Sequence, residues 1–298
     1  MSLWKKYHLV HSVEEALRAL SGACGPARLI AGGTDLLLDL QQGRYPAVDT
    51  LVDICSIPDL TIIEERQNRL FIGAAAPLSQ IIASQLVWQH ARALIEACEL
   101  IGGPQVRNVA TLGGNVAHAL PAADGTIALL ALEAQAQVVS LEGQRLINLE
   151  DLFSGPGKST LDPSKELILG FSLPLIGPRK ASVFQRVMRP QGVALPILNL
   201  AVWLQRNEDD HYGSIIGDIR LAVGPSGPTP KRARHSEEVL RGNPLNQDLL
   251  DVALKALLQE AHFRSSPHRA STEYRQRLSK VLFDQAISLV WQRTFQTV

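Results

Sequence analysis

The chain has 298 residues, with 29 Lys and Arg against 29 Asp and Glu, so its formal net charge is zero. That length predicts two or three packed units rather than one small core. With 46% hydrophobic and 19% charged residues the composition is that of an ordinary soluble globular protein. A balanced charge gives no reason to expect nucleic acid or an anionic membrane as partner.

Cys24, Cys55 and Cys98 lie far apart and none belongs to a CxxC pair. This pattern predicts neither a disulfide framework nor an iron–sulfur cluster held by this chain, and three buried thiols in a reducing compartment are expected. The start, Met1 to His11, has no apolar signal core or small-residue cleavage site. No segment approaches the roughly 20 apolar residues of a membrane span. The expected location is cytoplasmic.

In chain order, Ser12 with Glu15 three residues on forms a capping box, and Val13, Ala16, Leu17 and Leu20 give the following helix one apolar face. Gly22 and Gly25-Pro26 end it. Ala27 to Ala31 reads as a buried strand that stops at Gly32-Gly33-Thr34-Asp35. Leu36 to Leu40 is a short helix start or a tight apolar turn. Thr50 to Ile54 is a strand, and Leu60 to Ile63 with Arg69 to Ile72 predicts a hairpin across residues 64–68. Leu78 to Ile82 opens a short helix. Val87 to Leu100 predicts a longer one, with Ala91, Leu94, Ile95 and Cys98 on one face.

Ile101 to Asn115 is the densest glycine region. Ile127 to Leu132 is helical. Ala136 to Leu141 is a strand, followed by a turn into Leu146 to Leu149. Gly155-Pro156-Gly157-Lys158 is a surface loop, and Leu167 to Leu173 a strand ending at Pro174. A domain boundary falls near Gly177-Pro178, where breaker residues gather. Beyond it Val183 to Met188, Leu195 to Leu204 and Ile215 to Val223 read as strands. Helices follow at Asp248 to Glu260 and Thr272 to Trp291. An antiparallel sheet with helices on one face satisfies this order. Met188-Arg189-Pro190-Gln191-Gly192 is a basic turn, and Lys231-Arg232-Ala233-Arg234-His235 a solvated charge cluster.

Two glycine clusters carry the chemical signal. At Gly32-Gly33 a buried strand ends where backbone can approach a ligand closely, and consecutive amides in such a turn converge on an anion. Thr34 adds a hydroxyl donor. At Thr111-Leu112-Gly113-Gly114-Asn115 the same pairing recurs, followed by small residues to Asp124. This carboxylate in an apolar stretch needs a donor partner, and it suits ribose hydroxyls or a helix start. The pair of clusters fits a bulky dinucleotide seated along a seam between subdomains. Neither is a GxGxxG or Walker sequence, so a Rossmann fold is not expected. The histidines lack metal-ligand spacing, and no nucleophile elbow occurs. His118 is the histidine nearest a motif, where it borders the cleft or packs in the core.

These residues resemble the FAD-binding subunit of the xanthine dehydrogenase, carbon monoxide dehydrogenase and aldehyde oxidase family of molybdenum hydroxylases. The resemblance rests on Ala31-Gly32-Gly33-Thr34-Asp35-Leu36 together with Thr111-Leu112-Gly113-Gly114-Asn115, Pro121 and Ala123-Asp124. It extends to Ile219 through Gly224, Thr229 through Ala233, Glu237 to Gly242 and Ala270 through Arg275. It implies an α+β fold: a two-lobed FAD-binding domain at 1–176 (lobes 1–57 and 58–176), then a smaller α+β domain with an antiparallel sheet at 177–298.

The resemblance further implies one non-covalent FAD. Leu29, Ile30, Ala31, Gly32, Gly33, Thr34, Asp35 and Leu36 would form the pyrophosphate loop. Thr111, Gly114 and Asn115 would supply the second loop, and Asp124 the ribose carboxylate. Ile101 falls where animal xanthine dehydrogenases carry a phenylalanine near the flavin ring. Ile168 lies on the strand that closes over the cofactor. Gln185 stands where many relatives place lysine, which removes a positive charge near the flavin, for which Arg186 is a candidate replacement.

Molybdopterin on a large partner and [2Fe–2S] clusters on a small partner would complete an oxidoreductase heterotrimer, doubled by symmetry. Electrons would reach FAD here and leave to NAD+ or another acceptor. Xanthine dehydrogenase-like chemistry is the leading expectation for the complex. The alternatives are a stand-alone FAD-dependent oxidase or reductase, and a scaffold subunit that has lost its flavin.

Overall fold

The computed structural model describes residues 3–189, 195–207, 214–267 and 269–296. The N-terminal lobe comprises β1 (Trp4–Leu9), α1 (Val13–Ser21), β2 (Ala27–Ile30), α2 (Leu36–Gln41) and β3 (Val48–Asp53). Its three strands are parallel in the order β1-β3-β2. Ser12 Oγ accepts the Glu15 amide at 3.1 Å, and the Glu15 carboxylate accepts the His11 amide at 2.8 Å. This reciprocal cap starts α1 where the sequence places it. β1 escapes the sequence reading because it is an edge strand with mostly exposed side chains and no apolar alternation.

The second lobe runs through β4 (Ile63–Arg66), β5 (Arg69–Gly73), α3 (Leu78–Ala83), α4 (Gln85–His90), α5 (Arg92–Glu99), α6 (Pro104–Arg107), α7 (Leu112–Ala117) and α8 (Asp124–Ala131). It continues with β6 (Gln135–Ser140), β7 (Gly143–Asn148), β8 (Phe153–Gly155), β9 (Lys158–Ser159) and β10 (Leu167–Pro174). Five strands form an antiparallel sheet in the order β4-β5-β10-β6-β7. The first hairpin is tighter than expected. Gln67 and Asn68 make a two-residue turn with φ of 51° and 59°, the left-handed pair whose twist suits adjoining strands. Gly155 to Lys158 is likewise no open loop but the tip of a short β8–β9 hairpin.

The helix expected over residues 87–100 is broken. Ala91, fully buried, takes φ −145° and ψ 48° and separates α4 from α5. The cause is tertiary: His90 Nδ1 lies 3.2 Å from the backbone N and O of Ile176, which pins the end of α4 to the distant end of β10. Arg92 stacks over Trp88 across the break.

The C-terminal unit holds β11 (Lys180–Val187), β12 (Leu198–Arg206), β13 (Ile216–Gly224), β14 (Lys231–Arg232), α9 (Arg234–Leu240), α10 (Gln247–Glu260) and α11 (Thr272–Arg293). The four strands are antiparallel in chain order. Leu198 to Leu204 is buried throughout, and its residues divide by parity. Leu198, Leu200, Val202 and Leu204 pack with α9, α10 and α11, whereas Ala201 and Trp203 join the core of the second lobe. The sheet's own helices lie on one face, and α5 and α8 cover the other.

Two local expectations need correction. Among the cysteines only Cys98 is buried, while Cys24 and Cys55 are exposed. The cluster at 231–235 is not simply solvated. Arg232 and Glu237 form an ion pair at 2.6 Å with side chains 7% and 2% exposed, and Glu237 also accepts the Leu221 amide. Pro190, Gln191 and Gly192 of the basic turn lie outside the described residues. Among the described residues no helix is long and apolar enough to cross a membrane.

Candidate functional site

The first glycine loop leaves β2 after Ile30 and enters α2 through a turn in which the Leu37 amide donates to Gly33 O at 3.0 Å. The two glycines are needed for different reasons. Gly33 sits at φ +67°, a left-handed conformation that costs other residues. Gly32 is required for space: a Cβ there would lie 1.9 Å from Val109 O and 2.9 Å from Ala110 Cα. The loop therefore rests directly on the backbone leading to the second motif. The amides of Gly32, Gly33, Thr34 and Asp35 have no acceptor among the described residues. Such a run of free N–H groups is a ready cradle for an anion.

The second motif is built differently. Thr111 Oγ caps α7 by accepting the Gly114 amide at 3.1 Å. The Leu112 and Gly113 amides donate to Ala76 O and Ala74 O. A Cβ on Gly113 would lie 2.6 Å from Ala74 O, so this glycine lets α7 seat against the end of β5. Its amides are thus already engaged. What it offers a ligand is Asn115, whose Oδ1 is buried without a donor. An orphaned buried acceptor calls for a ligand or water.

A cavity of about 750 Å³ opens between these loops and the C-terminal domain. That is ample for a dinucleotide. Of the expected site residues, Asp35, Ile101, Asn115 and Asp124 line it, while Leu29, Ile30, Ala31, Gly32, Gly33, Thr34, Leu36, Thr111, Gly114, Ile168 and Gln185 do not. Arg107 shapes the Ile101 turn, donating to the carbonyls of Glu99, Ile101 and Gly102. Ile168 sits in β10 within the core of the second lobe. Gln185 sits in β11 with its Oε1 buried and unpartnered. His118 lines the cavity between two carboxylates, with Nδ1 3.8 Å from Asp35 and Nε2 3.3 Å from buried Asp39.

Asp124 opens α8 at the seam between the domains. Arg186 donates to its Oδ2, and Asn199 Nδ2 donates to its Oδ1 at 2.7 Å. Both ionic side chains are 4% exposed. Burial pushes the Asp124 carboxyl above its ordinary value, while Arg186 and Asn199 pull it back. The donor expected for Asp124 is therefore Arg186, one residue beyond the position where lysine was missed. Each carboxylate oxygen still has a lone pair free for a hydroxyl. Arg186 Nε and Asn199 Oδ1 are buried without partners beside it.

Sequence reasoning missed the far wall. Arg264, Arg269 and Arg275 also line the cavity. Arg275 falls within the family-like run Ala270 to Arg275, but nothing local showed that it turns toward the flavin loops. The free amides, the orphaned Asn115 acceptor and the size of the cavity together fit FAD.

Comparison with known proteins agrees. The family described as FAD binding domain in molybdopterin dehydrogenase matches residues 3–176, and the CO dehydrogenase flavoprotein C-terminal domain matches residues 182–290. The chain is 32% identical to the xanthine dehydrogenase FAD-binding subunit of Escherichia coli O157:H7, covering 95% of this chain and 94% of that one. It is 34% identical to the glyceraldehyde dehydrogenase medium chain of Sulfolobus acidocaldarius, covering 93% and 94%. Carbon monoxide dehydrogenase from Hydrogenophaga pseudoflava contains a chain that superposes with a TM-score of 0.90 at 26% identity, covering 97% and 98%. The glycine loops, the α+β architecture and these matches over nearly the whole length place this chain in the FAD-binding flavoprotein subunits of the molybdopterin dehydrogenases, the oxidoreductase family of xanthine and carbon monoxide dehydrogenases.

Proposed function

We propose that this chain holds one FAD without covalent attachment and passes electrons from the [2Fe–2S] clusters of a small partner to NAD+ or another acceptor. The observation that carries this reading is the row of free amides at Gly32 to Asp35, which meets the cleft at Asp35, together with the unpaired Asn115 acceptor that lines it. In this reading Leu29 to Leu36 wrap the diphosphate. Thr111 and Gly114 fix α7 so that Asn115 reaches the cofactor, and Asp124 receives ribose hydroxyls. Ile101 packs on the flavin side, and Ile168 and Gln185 support the lining from behind. The flavin supplies the electron exchange, and the protein supplies placement and electrostatics.

The division at residues 176 and 177 belongs to the same proposal and is supported by the separate core on the helical side of the C-terminal sheet. The complex is a heterotrimer with a large molybdopterin subunit and a small iron–sulfur subunit, doubled by symmetry. Relatives named for xanthine and for glyceraldehyde resemble this chain almost equally. That supports assigning substrate choice to the large partner. The Escherichia coli relative favours xanthine dehydrogenase-like chemistry as the first to test. Free cysteines support a reducing compartment such as the cytoplasm.

Purified chain should show flavin absorbance, released by acid precipitation, at no more than one FAD per chain. A colourless protein that takes up no added FAD refutes the flavin reading. Tagged chain drawn from its native cell should bring molybdenum, iron and two further subunits. An active flavoenzyme without them refutes the electron path.

A further inference from the structure

We propose that Arg264, Arg269 and Arg275 form a second anion subsite on the C-terminal wall of the cleft, one that takes a phosphate or diphosphate group. Arg275 is 2% exposed and lines the cavity. Its Nε donates to Ile197 O at 3.0 Å and its Nη1 to Arg264 O, while Nη2 has no acceptor among the described residues. A guanidinium does not shed its proton in the neutral range, so its burial requires compensation by a counter-charge.

No such counter-charge is paired with it among the described residues. None of the three arginines forms an ion pair among the described residues. The acids lining the same cavity are engaged elsewhere, Asp124 with Arg186 and Asp35 beside His118. The three cations also feel one another. Burial, then Arg269 and Arg264, lower the pKa of Arg275. Three converging guanidinium groups suit a multiply charged phosphate better than a single carboxylate, because planar forks match phosphate oxygens.

Two sources share this chemistry. One is the diphosphate of the flavin cofactor itself, met from the opposite wall of the cleft to the loop that wraps it. The other is the diphosphate of a nucleotide electron acceptor docking against a flavin already in place, and that source rests on the flavin reading above. Arg264 and Arg269 are exposed, so their side chains can be changed without disturbing the core. The full-length chain is compared with Arg264→Glu/Arg269→Glu and with Arg264→Lys/Arg269→Lys, which keeps the charge. FAD affinity is read from fluorescence quenching. Inorganic pyrophosphate affinity is read by calorimetry on the chain both as purified and saturated with FAD.

Charge reversal should weaken at least one of these affinities by about tenfold or more, with the lysine variant close to wild type. A loss confined to FAD affinity identifies the cofactor as the source. A loss of pyrophosphate binding on the flavin-loaded chain, with FAD affinity unchanged, identifies the acceptor. If the chain takes no flavin, the flavin reading falls, and pyrophosphate binding to the purified chain still decides the subsite. Unchanged affinities for both ligands in the charge-reversed variant, or no pyrophosphate binding together with an unchanged FAD affinity, overturn the proposal.

Discussion

Gly32→Ala is the sharpest test of how the two glycine loops work together. The added Cβ would lie 1.9 Å from Val109 O and 2.5 Å from the Val109 carbonyl carbon, where ordinary contact begins at 3.4 Å. Backbone on one side must therefore withdraw by about 1.5 Å, and neither neighbour is the flexible end of a side chain. Forcing a backbone shift by overpacking costs roughly 1–3 kcal/mol. Some of this relaxes in the free protein as the loops part. Closing them again on FAD then weakens binding. If all of it falls on affinity, Kd rises roughly 5- to 150-fold.

The control is Gly43→Ala. That residue has φ +68° but open space around it. It should lose about 1–2 kcal/mol of stability to the left-handed backbone and leave FAD affinity unchanged. Fluorescence quenching gives Kd, and urea unfolding gives stability. A Gly32→Ala protein that binds FAD within twofold of wild type and is no less stable than the Gly43 control refutes the contact between the loops.

Three further outcomes follow from the same structure. Arg186→Met leaves the Asp124 carboxylate buried without its cation and should lower unfolding free energy by about 3–5 kcal/mol, whereas Asp124→Asn/Arg186→Met should recover much of the loss; an Arg186→Met protein within about 1 kcal/mol of wild type in denaturant titration contradicts the buried pair. Thiol titration at mild alkaline pH should label exposed Cys24 quickly and Cys98 only after unfolding, with Cys55 slow although the residue reaches the surface, because partial desolvation of its thiol and the Asp53 charge push it up to about 12; three equally fast thiols would contradict this placement. The Arg145 ion pair holds the Glu166 carboxyl below its usual 4.5. Its stabilisation is present above that pH and is lost as pH falls through the lowered value, so Arg145→Gln should cost no more than about 1 kcal/mol at neutral pH and nothing in strong acid. A gap that persists in strong acid would assign the effect to packing instead.

Local signals made several elements legible. The Ser12 and Glu15 cap, the Gly22 stop and the apolar face of α1 all act within one or two helical turns, and α1 forms where they place it. The strand-to-glycine transition at Ile30 was equally readable, because a left-handed position and a backbone contact both select glycine. Ala91 carried no such mark. Its break in the helix comes from His90 meeting Ile176, 86 residues away. Likewise β12 read as a continuous apolar run, and only the packed sheet shows that alternate residues belong to two different cores.

Within the site the same distinction holds. The sequence by itself determined the first loop, because a cradle of free amides is a property of a few consecutive residues, whereas the second loop spends its amides on Ala74, Ala76 and its own cap and offers Asn115 instead. It also determined that Asp124 needs a donor, since a carboxylate in an apolar stretch cannot stay unpaired. Which donor answers was decided by tertiary structure, for Arg186 and Asn199 are 62 and 75 residues away. The wall of Arg264, Arg269 and Arg275 was decided there too. Arg275 is the fourth residue of α11, where an arginine ordinarily reaches solvent, and only the docking of that helix against Ile197 buries its charge and turns it toward the cleft.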